Sequence, residues 1–323
     1  MHWFESVSEY TWRNCLEIAN GHQIAMDFEG CVQCCLSYLQ RYLIPPSNET
    51  VAHAAISKSL RVIFACGGNG SRWGRFLNMP KQQVDTGDGL PLIQRTINQF
   101  RCYMPDAPFH ILIREGGYKD FNNINSANII TTVMNDATNA GIEVLENVLV
   151  NPLTQSNILI IYGDVYFSKS AVETIVKTIC GECNHPKYFG RKHQNKQFGN
   201  NGGEIFGVYI PFQQQELLLT YYKFIDRMYL GFPMYRRSSW EVLALLGLMH
   251  KQETGEHGYP YLLDNDARNT YNQIIKVLQE REFNPMTWIE IDDETEDFDF
   301  PCEYINRLML TVHRVGITLD SQM

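Results

Sequence analysis

The sequence predicts an α/β protein built on a mainly parallel central sheet with helices on both faces. Three apolar runs read as buried strands: "RVIFAC" from Arg61, "FHILI" from Phe109 and "NILIIYGDVYF" from Asn157. Stretches such as "PLIQRTINQF" and "SAVETIVKTI" place apolar residues at helical spacing between and after them. Apolar strands alternating with helices belong to a parallel sheet that is covered on both sides.

Residues 1–57 have a different character. They hold four cysteines, Cys15, Cys31, Cys34 and Cys35, and a mostly helical pattern that Pro45-Pro46-Ser47-Asn48 interrupts. They are expected to form a helical N-terminal extension. The main domain is expected over 58–310. Its first strand starts at Arg61. Pro91 suits a first helical position, and Ile93, Ile97 and Phe100 then share one face. Residues 132–148 read as helical. "GEIFGVYIPF" and "TWIEIDD" read as later strands, and 311–323 as a C-terminal tail.

Composition narrows the function classes. A chain of 323 residues suits one large domain with an extension, and 44% apolar residues is ordinary for a globular protein. The net charge of −9 argues against a nucleic-acid partner, while leaving room for a local basic pocket. No apolar run has the length of a membrane span, and Met1-His2-Trp3-Phe4-Glu5 is unlike a signal peptide. The expectation is a cytoplasmic protein with no membrane partner and nine reduced cysteines.

The loop after the first strand, Gly67-Gly68-Asn69-Gly70-Ser71-Arg72, leaves the sheet at its carboxyl edge, where ligands sit in such folds. Glycines bring backbone N–H groups close to an anion, and Arg72, Arg75 and Lys81 add positive charge. The pattern suits a polyphosphate. It lacks the Gly-Lys-Ser/Thr of a P-loop. Its glycine spacing, with Pro80 following, also fails the dinucleotide fingerprint.

Gly-x-Gly-Ser-Arg-Trp-Gly, then Pro80-Lys81, then Gly89-Leu90-Pro91-Leu92-Ile93 and Arg95-Thr96-Ile97, resembles the nucleotidyltransferase superfamily. That superfamily includes the enzymes that make nucleotide sugars and CDP-linked compounds, and MobA-like proteins. The resemblance spans roughly 58–305 and is strongest over 65–100. It implies a Rossmann-like fold with a mixed sheet, of the glycosyltransferase-A type. It also implies transfer of a nucleoside monophosphate from an NTP to a phosphorylated small molecule, with release of pyrophosphate. The implied nucleotide-binding segment is Ala65, Cys66, Gly67, Gly68, Asn69, Gly70, Ser71 and Arg72, with Lys81. Arg72 would steady the β- and γ-phosphates and Lys81 the α-phosphate.

Such chemistry takes Mg²⁺, which binds carboxylates, phosphate oxygens and water. Asp164 follows a buried strand at the same edge as the glycine loop. An Asp there also caps turns, but Gly163-Asp164-Val165 resembles the family's metal motif. "TWIEIDDETEDFDFP" resembles the family's closing strand, which makes Asp292 the expected second ligand and Asp293 its neighbour of opposite direction. Six of the nine residues 291–299 are Asp or Glu, so a solvated acidic loop is the competing reading.

Acceptor binding is expected from Arg191 and Lys192, from Glu204 in a strand resembling the one after the family's acceptor loop, or from Arg236 and Arg237. A solvated basic face competes with each cluster. The ending Glu290-Ile291-Asp292 resembles the cytidylyl- and sugar-type branches of that superfamily, which implies CTP or UTP over GTP or dTTP. The acceptor is a sugar 1-phosphate or a phospho-alcohol. Cys31, Cys34, Cys180 and Cys183 form two Cys-x-x-Cys pairs, too far apart in sequence for the usual zinc spacing. Buried reduced cysteines are the plainer reading. Oligomeric state is left open, a homo-oligomer included. A nucleotide-sugar-dependent glycosyltransferase of similar shape is the alternative enzyme class.

Overall fold

The computed structural model describes residues 60–67, 70, 72–74, 76–114, 121, 124, 127–132, 144–145, 156–181, 185–192, 203–215, 218–219, 222 and 287–320. The chain divides into two compact units, one of residues 1–56 with 220–284 and one of 57–219 with 285–323. Every element below lies in the second. The expected N-terminal extension, most of the 132–148 helix, and Arg236 and Arg237 lie outside the described residues.

The protein is a mixed α/β fold. A seven-stranded sheet has the order β3-β2-β1-β4-β7-β6-β8. The strands are β1 (Leu60–Ala65), β2 (Phe109–Arg114), β3 (Asn128–Thr132), β4 (Asn157–Tyr162), β6 (Lys187–Arg191), β7 (Glu204–Ile210) and β8 (Thr287–Glu290). β7 runs antiparallel to both of its neighbours, and the other six share one direction. Two short strands, β5 (Val165–Tyr166) and β9 (Glu296–Asp297), pair apart from the main sheet.

The apolar runs become strands because both of their faces are buried. Val62, Ile63 and Phe64 of β1 and Ile158, Leu159, Ile160 and Ile161 of β4 are almost wholly enclosed. Helices α1 (Leu92–Tyr103) and α2 (Lys169–Cys180) cover one face. Ile93, Ile97 and Phe100 of α1 and Val172, Ile175 and Ile179 of α2 join Val62, Phe64, Leu159 and Ile161 in a single core. Phe64 stacks on Phe109 and meets the edge of Phe100. Each such buried ring contributes roughly 2 kcal/mol of hydrophobic stabilisation. Ser168 caps α2 by accepting the Ala171 N–H at 2.9 Å.

Three elements were not visible in the sequence pattern. β3 lies at one edge of the sheet. β6, in the stretch expected to bind the acceptor or to form a solvated basic face, is interior, and its Tyr188 and Phe189 are buried. Helix α3 (Pro301–Asp320) runs through the segment expected to be a tail. None of the described helices is long and apolar enough to cross a membrane.

Candidate active site

β1 and β4 are neighbouring parallel strands, with Ala65 opposite Tyr162. The glycine loop and Asp164 therefore leave the sheet side by side. Gly163 is required at this point. Its N–H donates to Ala65 O at 3.0 Å, and a Cβ on it would stand 2.3 Å from Cys66 Sγ. Burial, with Asp164 nearby, pushes the Cys66 thiol well above its ordinary value. Cys66 is thus a packed, protonated side chain at the loop's root.

Gly70 takes a left-handed φ of 57° and its carbonyl accepts from Trp73 N–H at 3.0 Å, closing a turn. Gly68, Asn69, Ser71 and Arg75 lie outside the described residues. Trp73 is buried, and its indole N–H donates to Phe76 O and Met79 O. This anchors the segment leading to Pro80-Lys81.

Lys81 is the centre of the site. Its Nζ lies 2.5 Å from Asp164 Oδ2, 3.1 Å from Asp299 Oδ1 and 3.9 Å from Asp297 Oδ1. Its side chain is only 9% exposed. Burial pulls the ammonium pKa down, but Asp164, Asp297 and Asp299 together outweigh it and hold the group firmly protonated. Arg72, nearly half exposed, ion-pairs with Asp299 Oδ2 and lies over the Phe300 ring at 5.5 Å.

Asp297 and Asp299 reach Asp164 through a backbone ladder. β9 pairs antiparallel with β5, Val165 opposite Asp297, and Phe298 N–H donates to Asp164 O at 3.1 Å. The strand alternation in Asp297-Phe298-Asp299 sends both carboxylates one way and Phe298 the other. Phe298 joins a second core with Trp73, Val84, Leu92, Tyr166 and Tyr304. Carboxylate oxygens of Asp164, Asp297 and Asp299 all lie within 4.8 Å of one another. Sequence reasoning passed over Asp297 and Asp299, although the Asp-x-Asp spacing around an apolar residue is a legible sign of two carboxylates on one side.

Asp292 stands elsewhere. It is exposed and is not among these three carboxylates. β8, which it follows, is three strands from β4 in the sheet order, about 14 Å away at ordinary strand spacing. The chain must come back across the sheet edge before it meets Asp164. On the way Asp293 accepts from Ser168 Oγ at 2.5 Å and from Thr295 N–H at 2.8 Å, while Thr295 Oγ1 accepts from Ser168 N–H. The return path is thus pinned to the start of α2.

The expected acceptor residues divide. Arg191 is enclosed in the core, 1% exposed, bonded to Glu296 Oε2 at 3.0 Å and Thr295 O at 2.9 Å. Its guanidinium holds β9 against β6 rather than facing a ligand. Lys192 lies over the Trp288 ring, and its N–H donates to Glu290. Glu204 is half-buried, and burial together with Glu296, Asp299 and Glu303 raises its carboxyl well above the ordinary value, against the pull of Arg191. Cys180 is exposed, and Cys31, Cys34 and Cys183 lie outside the described residues.

Arg95, part of the sequence motif, is structural. It donates to Phe167 O and Tyr166 Oη and lies over the Tyr166 ring, which Arg307 of α3 also contacts. These contacts fix Tyr166 of β5 and so the Asp164 turn beside it.

The donor set fits a hard divalent cation. Such ions take carboxylate oxygens, and three converge here. Asp297 Oδ1 is buried without a hydrogen-bond partner. Burial, then Asp164, Asp299 and Glu204, push the Asp297 carboxyl well up despite Lys81.

No family model matches the chain, and no curated protein matches it. Among solved structures it is similar to a protein assigned as a glucose-1-phosphate thymidylyltransferase from Bacillus anthracis, in complex with a sucrose. That match has 11% identity and a TM-score of 0.45, and covers 78% of this chain and 94% of that one. It is also similar to Rv0371c from Mycobacterium tuberculosis H37Rv, at 11% identity and a TM-score of 0.46, over 78% of this chain and 98% of that one.

Proposed function

We propose that the protein is a nucleotidyltransferase, moving a nucleoside monophosphate from an NTP to a phosphorylated small molecule and releasing pyrophosphate. One observation carries this reading. Lys81 and Arg72, on the segment after β1, converge with Asp164, Asp297 and Asp299 at the carboxyl edge of the sheet. Cations for a polyphosphate and carboxylates for a metal belong together in phosphoryl chemistry.

In this reading Asp164, Asp297 and Asp299 hold a Mg²⁺ that neutralises charge on the triphosphate. Arg72, nearly half exposed, exchanges Asp299 for terminal phosphate oxygens. The Lys81 ammonium takes negative charge near the α-phosphate. The acceptor's phosphate oxygen forms a bond to the α-phosphorus as the bond to the β-phosphate oxygen breaks, and pyrophosphate carries the electrons away. An ionised phosphate is already a nucleophile, so no general base is required; placement and charge neutralisation do the work. Glu204, beside this edge, is the acceptor-binding residue that fits best, with CTP or UTP as the favoured nucleotide.

The test offers the full chain CTP, UTP, GTP and dTTP with Mg²⁺ against sugar 1-phosphates and phospho-alcohols. Pyrophosphate appearing only with both substrates supports the reading. Release of nucleoside diphosphate from a nucleotide sugar would instead favour a glycosyltransferase, and no turnover on either panel would overturn both.

A further inference from the structure

We infer that Lys81 is an internal counter-cation that occupies the carboxylate cluster in the free protein, competes with a divalent metal for it, and leaves when a triphosphate offers it new oxygens. The second half of this inference rests on the nucleotidyltransferase reading; the first half does not.

The argument is one of partners. Lys81 Nζ is within ion-pair reach of the same three carboxylates that converge as a metal-binding set. Asp299 is shared further, because Oδ1 holds Lys81 and Oδ2 holds Arg72. Both cations expected to meet phosphate are therefore bound to carboxylates expected to meet metal.

Consider each ligand alone. A divalent cation entering the cluster meets the Lys81 ammonium at close range and takes its partners. A side chain only 9% exposed is then left charged with little water to replace them. A triphosphate entering alone draws Lys81 and Arg72 away and leaves three carboxylates facing one another beside a polyanion. With both ligands present every charge has an opposite partner: carboxylates on the metal, ammonium and guanidinium on phosphate. Metal and nucleotide must then bind with positive coupling, and the factor is the same in either direction.

The closing experiment measures Mn²⁺ binding to the full chain by calorimetry, first without nucleotide. Lys81→Gln should bind Mn²⁺ alone at least about tenfold more tightly than wild type, since the competitor is gone. Lys81→Arg, which keeps the charge, should stay as weak as wild type. A side chain that only touches phosphate, or only supports the fold, would not raise metal affinity when removed. Equal or weaker Mn²⁺ binding by Lys81→Gln overturns the inference. A Lys81→Gln chain that folds only when Mn²⁺ is present supports it, because metal then replaces the missing cation. Wild type gives a reading that needs no variant. Mn²⁺ alone at about 1 mM should leave its Tm within roughly 1 °C, and a rise of several degrees would overturn the inference. In the second arm CTP or UTP should tighten Mn²⁺ binding to wild type at least about tenfold, and much less in Lys81→Gln. If CTP, UTP, GTP and dTTP leave Mn²⁺ affinity unchanged while Lys81→Gln still binds Mn²⁺ more tightly, Lys81 remains the competitor and it is the nucleotide reading that fails.

Discussion

Lys81 Nζ stands 2.5 Å from Asp164 Oδ2, joining the end of the glycine-rich segment to the end of β4. The contact exists because β1 and β4 lie side by side and both open on one edge of the sheet.

Asp164→Asn should abolish turnover while the chain stays folded. Lys81 keeps Asp299 as a hydrogen-bond partner, so the loop retains an anchor. Losing a metal ligand should lower the rate by roughly a thousandfold. Pyrophosphate release and circular dichroism, measured on the same preparation, check both halves.

The acidic segment should separate into two behaviours. Asp297→Asn and Asp299→Asn should lose most activity. Asp292→Asn, at an exposed position outside the cluster, should stay near wild type. Asp293→Ala should lose stability, by about 1 kcal/mol, because it removes the acceptor for Ser168 and for Thr295 N–H. Urea denaturation of the four variants, alongside their activities, distinguishes site from scaffold.

Gly163→Ala should destabilise the protein by about 1–3 kcal/mol, since the added methyl meets Cys66 Sγ. Adding Cys66→Ala should recover part of that loss. A double-mutant cycle reads the coupling directly; strict additivity would show that the clash is not with the thiol.

Stability should fall as pH rises through the range set by Glu303. Burial, set against the hydrogen bond from Phe300 N–H, leaves its carboxyl raised from 4.5 to about 7. Between those values the folded chain holds a proton that the unfolded chain has lost. Raising the pH therefore favours unfolding, by up to about 1.4 kcal/mol per pH unit for one such group, until about pH 7. Glu204 and Asp297, also raised, act in the same direction. Glu303→Gln should flatten part of this slope in denaturation series between pH 5 and about 7.5. An unchanged slope would remove Glu303 as a contributor.

Much of the fold is written locally. Runs such as "NILIIY" are apolar at every position, and only a strand covered on both faces uses such a run. α1 announces itself by Pro91 and by Ile93, Ile97 and Phe100 on one face. Gly67, Arg72, Lys81 and Asp164 follow strands whose direction the pattern already implies, so their common edge was legible. β6 was not, because the burial of Tyr188 and Phe189 depends on neighbours far along the chain. The same holds for the second carboxylates. Asp292 and Asp299 sit in one acidic run, and nothing local ranks them. The tertiary structure ranks them, because β8 lies three strands from β4, while the β5–β9 ladder carries Asp297 and Asp299 back to Asp164. The burial of Arg191 is hidden from the sequence for a related reason. Its basic neighbours mark a surface in sequence, but its partner Glu296 is brought to it only by that return path, and the pair is stable in the core only together.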